Sequence, residues 1–319
     1  ADELANLGVR VSNLEKKVGN LYWSGDARMR YTASSSDKVA DKYDGRIRLN
    51  VKGQVNDATY VQGQFVNNMN FKDEASSNTT MAQIYVNHNF NKNVAVRLGR
   101  QPIAFGNQGG WLYNGLEGYD GAQVSYNNGK LSLTTGFGQL NASDMAEVTK
   151  EDMYFAKGAY DFGFAKLNAD YIADKDGKAQ YRDEIFGVGL NIPVQKFNVF
   201  GEYWKNTTAL DDHDTAWNAG LSYGKADWKK AGTWDLSVAY NDVDYGVYFG
   251  GGTWHNDMLK NFTADYLDAY NLTFWTAIAN VTLQKNVQLH AEYAFAADAE
   301  GTNGVDPDDS WTVSLNYKF

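Results

Sequence analysis

Apolar and polar residues alternate along this chain with two different periods. In residues 45–55, Gly45, Ile47, Leu49, Val51, Gly53 and Val55 share one parity, and Arg46, Arg48, Asn50, Lys52 and Gln54 share the other. A strand turns successive side chains to opposite faces, so a period of two predicts a half-apolar β-strand. The same alternation sets Leu131 and Leu133 against Ser132 and Thr134, and Leu236, Val238 and Tyr240 against Asp235, Ser237 and Asn241. It predicts sixteen strands, over 22–33, 43–55, 58–70, 80–90, 93–101, 121–127, 130–138, 153–161, 163–173, 184–192, 196–205, 215–224, 232–243, 269–283, 286–297 and 310–319. The 269–283 segment is apolar on both parities (Leu272, Phe274, Ile278; Trp275, Ala277, Val281), which calls for a bulge or for protein on one side.

Residues 1–20 follow the other period. Leu4, Leu7, Val11, Leu14 and Val18 are spaced three and four apart, the a/d seam of a heptad coiled coil. Fewer than three heptads do not stand alone. The segment is therefore either the end of a longer coiled coil or a short amphipathic helix packed on the rest. The expected organisation is a coiled-coil stalk over 1–20 and one β domain over 21–319.

The connections decide what kind of β domain. Short turns alternate with long polar loops at 34–42, 68–79, 102–120, 139–152, 174–183, 206–214, 244–268 and 298–309. An even number of strands with short turns at one end and long loops at the other predicts an all-β fold, a transmembrane antiparallel barrel of sixteen strands. Such a barrel is too wide for side chains to fill, so its polar faces line water and its apolar faces meet lipid. Tyr22, Trp23, Trp217, Trp234 and Trp311 lie near strand ends, where interfacial aromatic girdles belong.

Composition narrows the functions. No run reaches the roughly 18 apolar residues of a membrane-spanning helix. The 319 residues include no Cys, which excludes disulfides, Cys-based zinc sites and a catalytic thiol. A net charge of −10 argues against nucleic acid as a partner. His88, His213, His255 and His290 have no metal spacing, no serine is marked as a nucleophile, and Asp174-Lys175-Asp176-Gly177 lacks the later ligands of a calcium loop. The aspartates at 211, 212, 214, 306, 308 and 309 read as solvated loop faces. No catalytic residue, metal or cofactor is expected.

The last ten residues place Trp311, Val313, Leu315, Tyr317 and Phe319 on one face. A closing strand of this kind, with Tyr317 and a final Phe319, resembles the assembly signal of bacterial outer-membrane proteins, which implies the barrel-assembly machinery as a partner. From about residue 22 the chain resembles a sixteen-stranded general porin, and the heptads before it make it similar to the OmpM-type porins of diderm Firmicutes such as Veillonella. That resemblance implies a bacterial outer-membrane porin, passing small hydrophilic solutes and ions by diffusion, set as a homotrimer among lipid and lipopolysaccharide. It also implies a tether to peptidoglycan or wall polymer through an upstream S-layer-homology domain, which is not among these residues.

In general porins the third long loop folds into the barrel, and here that loop is 102–120. Its glycines permit tight turns. Ile103, Phe105, Trp111 and Leu116 suit it for anchoring to the wall, and Glu117 and Asp120 are its only acids. The first two strands carry Arg28, Arg30, Arg46 and Arg48 on their polar faces, with Lys52 below them, and the fifth adds Arg97 and Arg100. Arg100 falls on the apolar parity unless Gly99 marks a bulge. By the resemblance, a basic wall facing an acidic loop sets a transverse field at the pore constriction and favours anions there. Two other functions are open: a mainly structural membrane anchor, and a substrate-specific sugar or anion channel with Tyr60, Tyr85, Phe200 and Trp204 as a lumenal slide. The 244–268 loop repeats Trp254, Met258, Leu259, Phe262 and Tyr266 at helical spacing, which suits a short capping helix.

Overall fold

The computed structural model describes residues 19–36, 40–72, 77–107, 109–140, 152–175, 184–209, 212–247, 258, 269–301 and 305–319. The strands among them are β1 (Leu21–Ser34), β2 (Lys42–Asn56), β3 (Thr59–Asn70), β4 (Ser77–Asn89), β5 (Val94–Phe105), β6 (Tyr113–Asn127), β7 (Leu131–Leu140) and β8 (Asp152–Asp161). They continue with β9 (Lys166–Asp174), β10 (Glu184–Val194), β11 (Phe197–Asn206), β12 (Thr215–Gly224), β13 (Trp234–Asp244), β14 (Ala269–Gln284), β15 (Val287–Gly301) and β16 (Ser310–Lys318). Each pairs antiparallel with its neighbour in sequence, and β1 pairs with β16, so the sheet closes into a barrel. Closure leaves no unpaired edge, the condition for spanning a membrane with strands. The heptad seam (Leu4, Leu7, Val11, Leu14, Val18) lies outside the described residues.

Alternation sorts the two faces. Leu49, Val61, Ile84, Leu98, Val188, Leu221 and Val313 are large, apolar and exposed on the outward face. The register also sets aromatic residues side by side near the long-loop end: Tyr31 opposite Tyr43, Phe137 opposite Tyr154, Tyr171 opposite Phe186, Tyr203 opposite Trp217, Tyr240 opposite Trp275 and Tyr293 opposite Trp311. Trp23, Phe162, Phe164 and Trp234 stand exposed near the short-turn end. Two aromatic rims with an aliphatic band between them match an apolar slab with two interfaces. Tyr22 departs from the expected girdle, because it sits opposite Lys52 on the lumenal parity.

At the seam, Gly25 and Phe319 exchange backbone hydrogen bonds of 2.8 and 3.0 Å. The Phe319 ring covers Gly25, where a side chain would collide with it.

Two regions depart from simple alternation, for one reason. Inward Leu272 and Phe274 of β14 are fully buried in a cluster with Trp111, Val243 and Met258, so the second apolar face of this strand meets protein inside the barrel. The β14–β15 register also shifts between Thr273 and Trp275. The expected loop 102–120 is largely strand: β5 runs on to Phe105 and β6 starts at Tyr113. A ribbon with protein around it loses the polar parity that marks a strand in sequence. Of the 244–268 segment, only Met258 and the stretch Asp244–Val247, which ends in a short 3-10 turn, are described; Trp254, Leu259, Phe262 and Tyr266 lie outside the described residues.

Candidate functional site

The extended β5–β6 ribbon turns into the barrel. Its register shifts between Gln101 and Ile103, the bulge that re-aims it. Beyond the bulge Ile103, Phe105, Trp111, Leu112 and Tyr113 are all buried. The Phe105 ring meets Phe155 of β8 edge-on, with centroids 5.9 Å apart. Met153, Ile172, Ile185 and Trp204, inward residues of β8 to β11, complete a dry cluster beneath the ribbon. Leu116 lies in β6, with its side chain outside the described residues.

Polar contacts fix the tip. The Gly106 N–H donates to Asp170 Oδ2 at 2.8 Å, and the Asn107 N–H donates to both carboxylate oxygens of Glu202 at 3.1 Å. Glu202 is buried and also accepts from Trp204 Nε1 at 2.8 Å and from Asn218 Nδ2 at 3.4 Å. Asn107 Nδ2 donates to the Gly201 carbonyl at 3.0 Å, and Trp111 Nε1 donates to Asn241 Oδ1 at 3.1 Å. Lys157 Nζ donates to the Ala104 carbonyl. Backbone N–H groups aimed at carboxylates make strong, charge-assisted bonds, and in a dry setting they define one position. Gly106 makes this possible, since its φ of +98° and the carboxylate against it leave no place for a Cβ. The ribbon thus leaves the wall at β5–β6 and is latched to β9, β11 and β13. Recesses of about 490 Å³ and 340 Å³ flank it, the first bordered by β7 to β9 and the second by β12 to β15.

The wall beyond the ribbon, on β1 and β2, carries the arginines. Arg28 stands opposite Arg46, Arg30 opposite Asp44 and Arg48 opposite Asp26. Arg30 reaches Asp44 through Nε and Nη2 at 2.8 Å each, and Arg28 Nη2 is 3.6 Å from the same carboxylate. Arg48 Nε lies 2.8 Å from Asp26, and Arg46 Nη2 lies 3.7 Å from it. Four cations therefore share two carboxylates, and the patch keeps a surplus of two positive charges.

No protein-family model and no curated protein matches the chain. Solved structures do match. A triple mutant of the Rhodopseudomonas blastica porin superposes with a TM-score of 0.62 at 14% identity, over 94% of this chain and 100% of that one. Another mutant of that porin gives 0.63 at 13%, over the same shares. The high-pH structure of Pseudomonas putida OprB gives 0.67 at 11%, over 98% of this chain and 96% of that one. The barrel is a porin fold.

Within the porin fold, the expected site residues separate into groups. Arg28, Arg30, Arg46 and Arg48 come together on one wall. Lys52 and Arg97 lie on the same side, each over a tyrosine ring. Arg100 and Asp120 do not face each other across a lumen. They form an ion pair between adjacent strands, 2.7 Å apart, and Arg100 stands opposite exposed Ile84 on the outward parity. Pairing continues in register through Gly99 and Arg100, so the glycine does not switch the parity. Glu117 lies in β6, with its side chain outside the described residues. Trp204 is fully buried in the cluster under the ribbon, and Phe200, also buried, borders the second recess. Tyr317 lies on the outward face of β16, and Phe319 just beyond its end.

Sequence reasoning missed the acids. Asp26 and Asp44 share the parity of the arginines two positions away, a signal that was readable. Asp170 and Glu202 carry no such signal, because their partners Gly106 and Asn107 are 64 and 95 positions away.

Proposed function

We propose that this chain is a bacterial outer-membrane porin, a passive diffusion channel for small hydrophilic solutes and ions. The observation that carries the reading is the latched ribbon. It occupies one side of a wide polar lumen and leaves the other side, with its arginine patch, as the path. The negative side of the constriction is then built from Asp235 and Glu292, inward acids of the far wall that border the second recess, rather than from Asp120, which faces outward. A cationic and an anionic wall across a narrow gap orient dipolar solutes and bias ion selectivity.

The finer parts of the reading are also proposals. The aromatic rims support a place among outer-membrane lipid and lipopolysaccharide, and the porin fold supports a homotrimer. The Phe319 seam supports delivery by the barrel-assembly machinery. The heptad seam supports an OmpM-type arrangement, in which a stalk over 1–20 ties the barrel over 21–319 to wall polymer through an upstream domain. The test is reconstitution into planar bilayers: stepwise, ohmic conductance is expected. A verified, inserted barrel that passes no current would leave the structural-anchor function as the better reading. Cells lacking residues 1–20 should keep permeability while the membrane detaches from the wall.

A further inference from the structure

The arginines of β1 and β2 are paired with aspartates, but two other cations on this side of the lumen are held differently. Lys52 Nζ lies 4.4 Å from the centroid of the Tyr60 ring, and the Arg97 guanidinium carbon lies 4.6 Å from that of Tyr85. The two rings meet edge to face, 6.4 Å apart. The register places all four on the lumenal parity: Gln62 stands between Lys52 and Tyr85, and Asn87 stands between Tyr60 and Arg97. The result is a continuous line across four strands in the order cation, ring, ring, cation.

Among the described residues this stretch of wall has no negative charge. β3, β4 and β5 contain no Asp or Glu at all, and the one acid of β2, Asp44, is bound by Arg30. The next acid along the chain, Asp57, sits in the exposed β2–β3 turn. Lys52 and Arg97 make no ion pair among the described residues, and the buried Arg97 Nε has no hydrogen-bond partner there. A ring face holds a cation in place without neutralising it, whereas a carboxylate cancels its charge. Lys52 and Arg97 are therefore held in position with no carboxylate to offset their charge.

We propose that Lys52 and Arg97, set on Tyr60 and Tyr85, form an anion ladder in the lumen wall that takes compact oxyanions of the phosphate class. The proposal rests on the channel reading and names a solute class for it. Lys52 lies four residues beyond Arg48 along β2, roughly 13 Å towards the short turns. An anion leaving the arginine patch meets this pair next. The same geometry leaves less ring surface for a sugar, because one face each of Tyr60 and Tyr85 carries a cation.

The test uses single channels of the full chain in planar bilayers at about 0.1 M salt, where screening leaves the wall charges effective. Inorganic phosphate, titrated at constant ionic strength, is expected to reduce the chloride current saturably, while glucose at equal concentration does not. In Lys52→Gln with Arg97→Gln the half-blocking phosphate concentration should rise about tenfold, or 1.4 kcal/mol. Tyr60→Leu with Tyr85→Leu should act the same way by freeing the cations. Arg46→Gln with Arg48→Gln should shift the block less. Heat-modifiable mobility confirms that each variant is a folded barrel, and Lys52→Gln alone serves if the double variant does not insert. Unchanged phosphate block in the Lys52 and Arg97 variants, or a larger loss in the Arg46 and Arg48 variant, overturns the ladder and leaves the channel intact. Absence of any current overturns the channel reading itself.

Discussion

The two sides of this lumen are built on opposite plans. On the β8–β13 side, inward residues are large and apolar at the long-loop end, and the ribbon packs on them; the charges there, Asp170 and Glu202, are spent on backbone N–H groups. On the β1–β5 side, away from the ribbon, the inward residues are mainly arginine, lysine, aspartate, amide and tyrosine. The first side behaves as a protein core that happens to lie inside a barrel, so its polar groups must be satisfied locally. On the proposed channel reading the second side borders the path, so it can keep a surplus of charge. On that reading, the two halves divide rigidity and selectivity between them.

The division can be broken from either half. Replacing the ribbon tip, residues 104–114, with a short turn should have the largest effect: an open lumen and a rise in single-channel conductance of about twofold or more, as expected when a constriction is removed. Phe105→Ala removes the ring that seats the ribbon on Phe155. It should cost about 3–5 kcal/mol of ribbon docking, with frequent excursions to higher current as the readout. Glu202→Gln keeps the shape of the latch and removes its charge. It should cost about 1.5–3 kcal/mol and give milder flicker at unchanged mean selectivity. A steady current in either variant would show that the ribbon stands without its latch. On the other wall, Arg46→Ala with Arg48→Ala removes the surplus of two charges, so anion preference should fall, measured as the reversal potential across a salt gradient. Selectivity that does not move would place the filter elsewhere. Arg100→Ala should change the pore least: its pair with Asp120 faces outward, so the reversal potential should stay where it is.

The barrel was legible because each strand lies between water and an apolar medium. Wherever that holds, as in Leu236, Val238 and Tyr240 against Asp235, Ser237 and Asn241, the alternation is complete and the strand is found within a few residues. It fails where a strand has protein on both sides. Residues 102–105 and 113–120 read as a glycine-rich loop for that reason, although Ile103, Phe105 and Trp111 were recognisable as anchors. The doubly apolar parity of β14 did announce a contact inside the barrel. The charges were harder. The arginines could be placed from parity alone, yet their net effect depended on Asp26 and Asp44 beside them. The latch joins residues far apart in sequence, so only the closed barrel brings it together. Residues 1–18, with their separate period, lie outside the described structure, and the stalk remains an expectation from the heptads.

The seam between β1 and β16 has a kinetic consequence. Thr32 and Thr312 touch across it, hydroxyl to hydroxyl at 3.0 Å, with 280 positions between them in sequence. Every smaller set of strands has two open edges that lipid cannot satisfy, so no partial barrel is a resting place in a membrane. The loop closure that ends this exposure is nearly as long as the chain, which makes it slow compared with hairpin formation. Synthesis and insertion must therefore be separated in time: the first strand waits, shielded from water and from other chains, until the last one has been made.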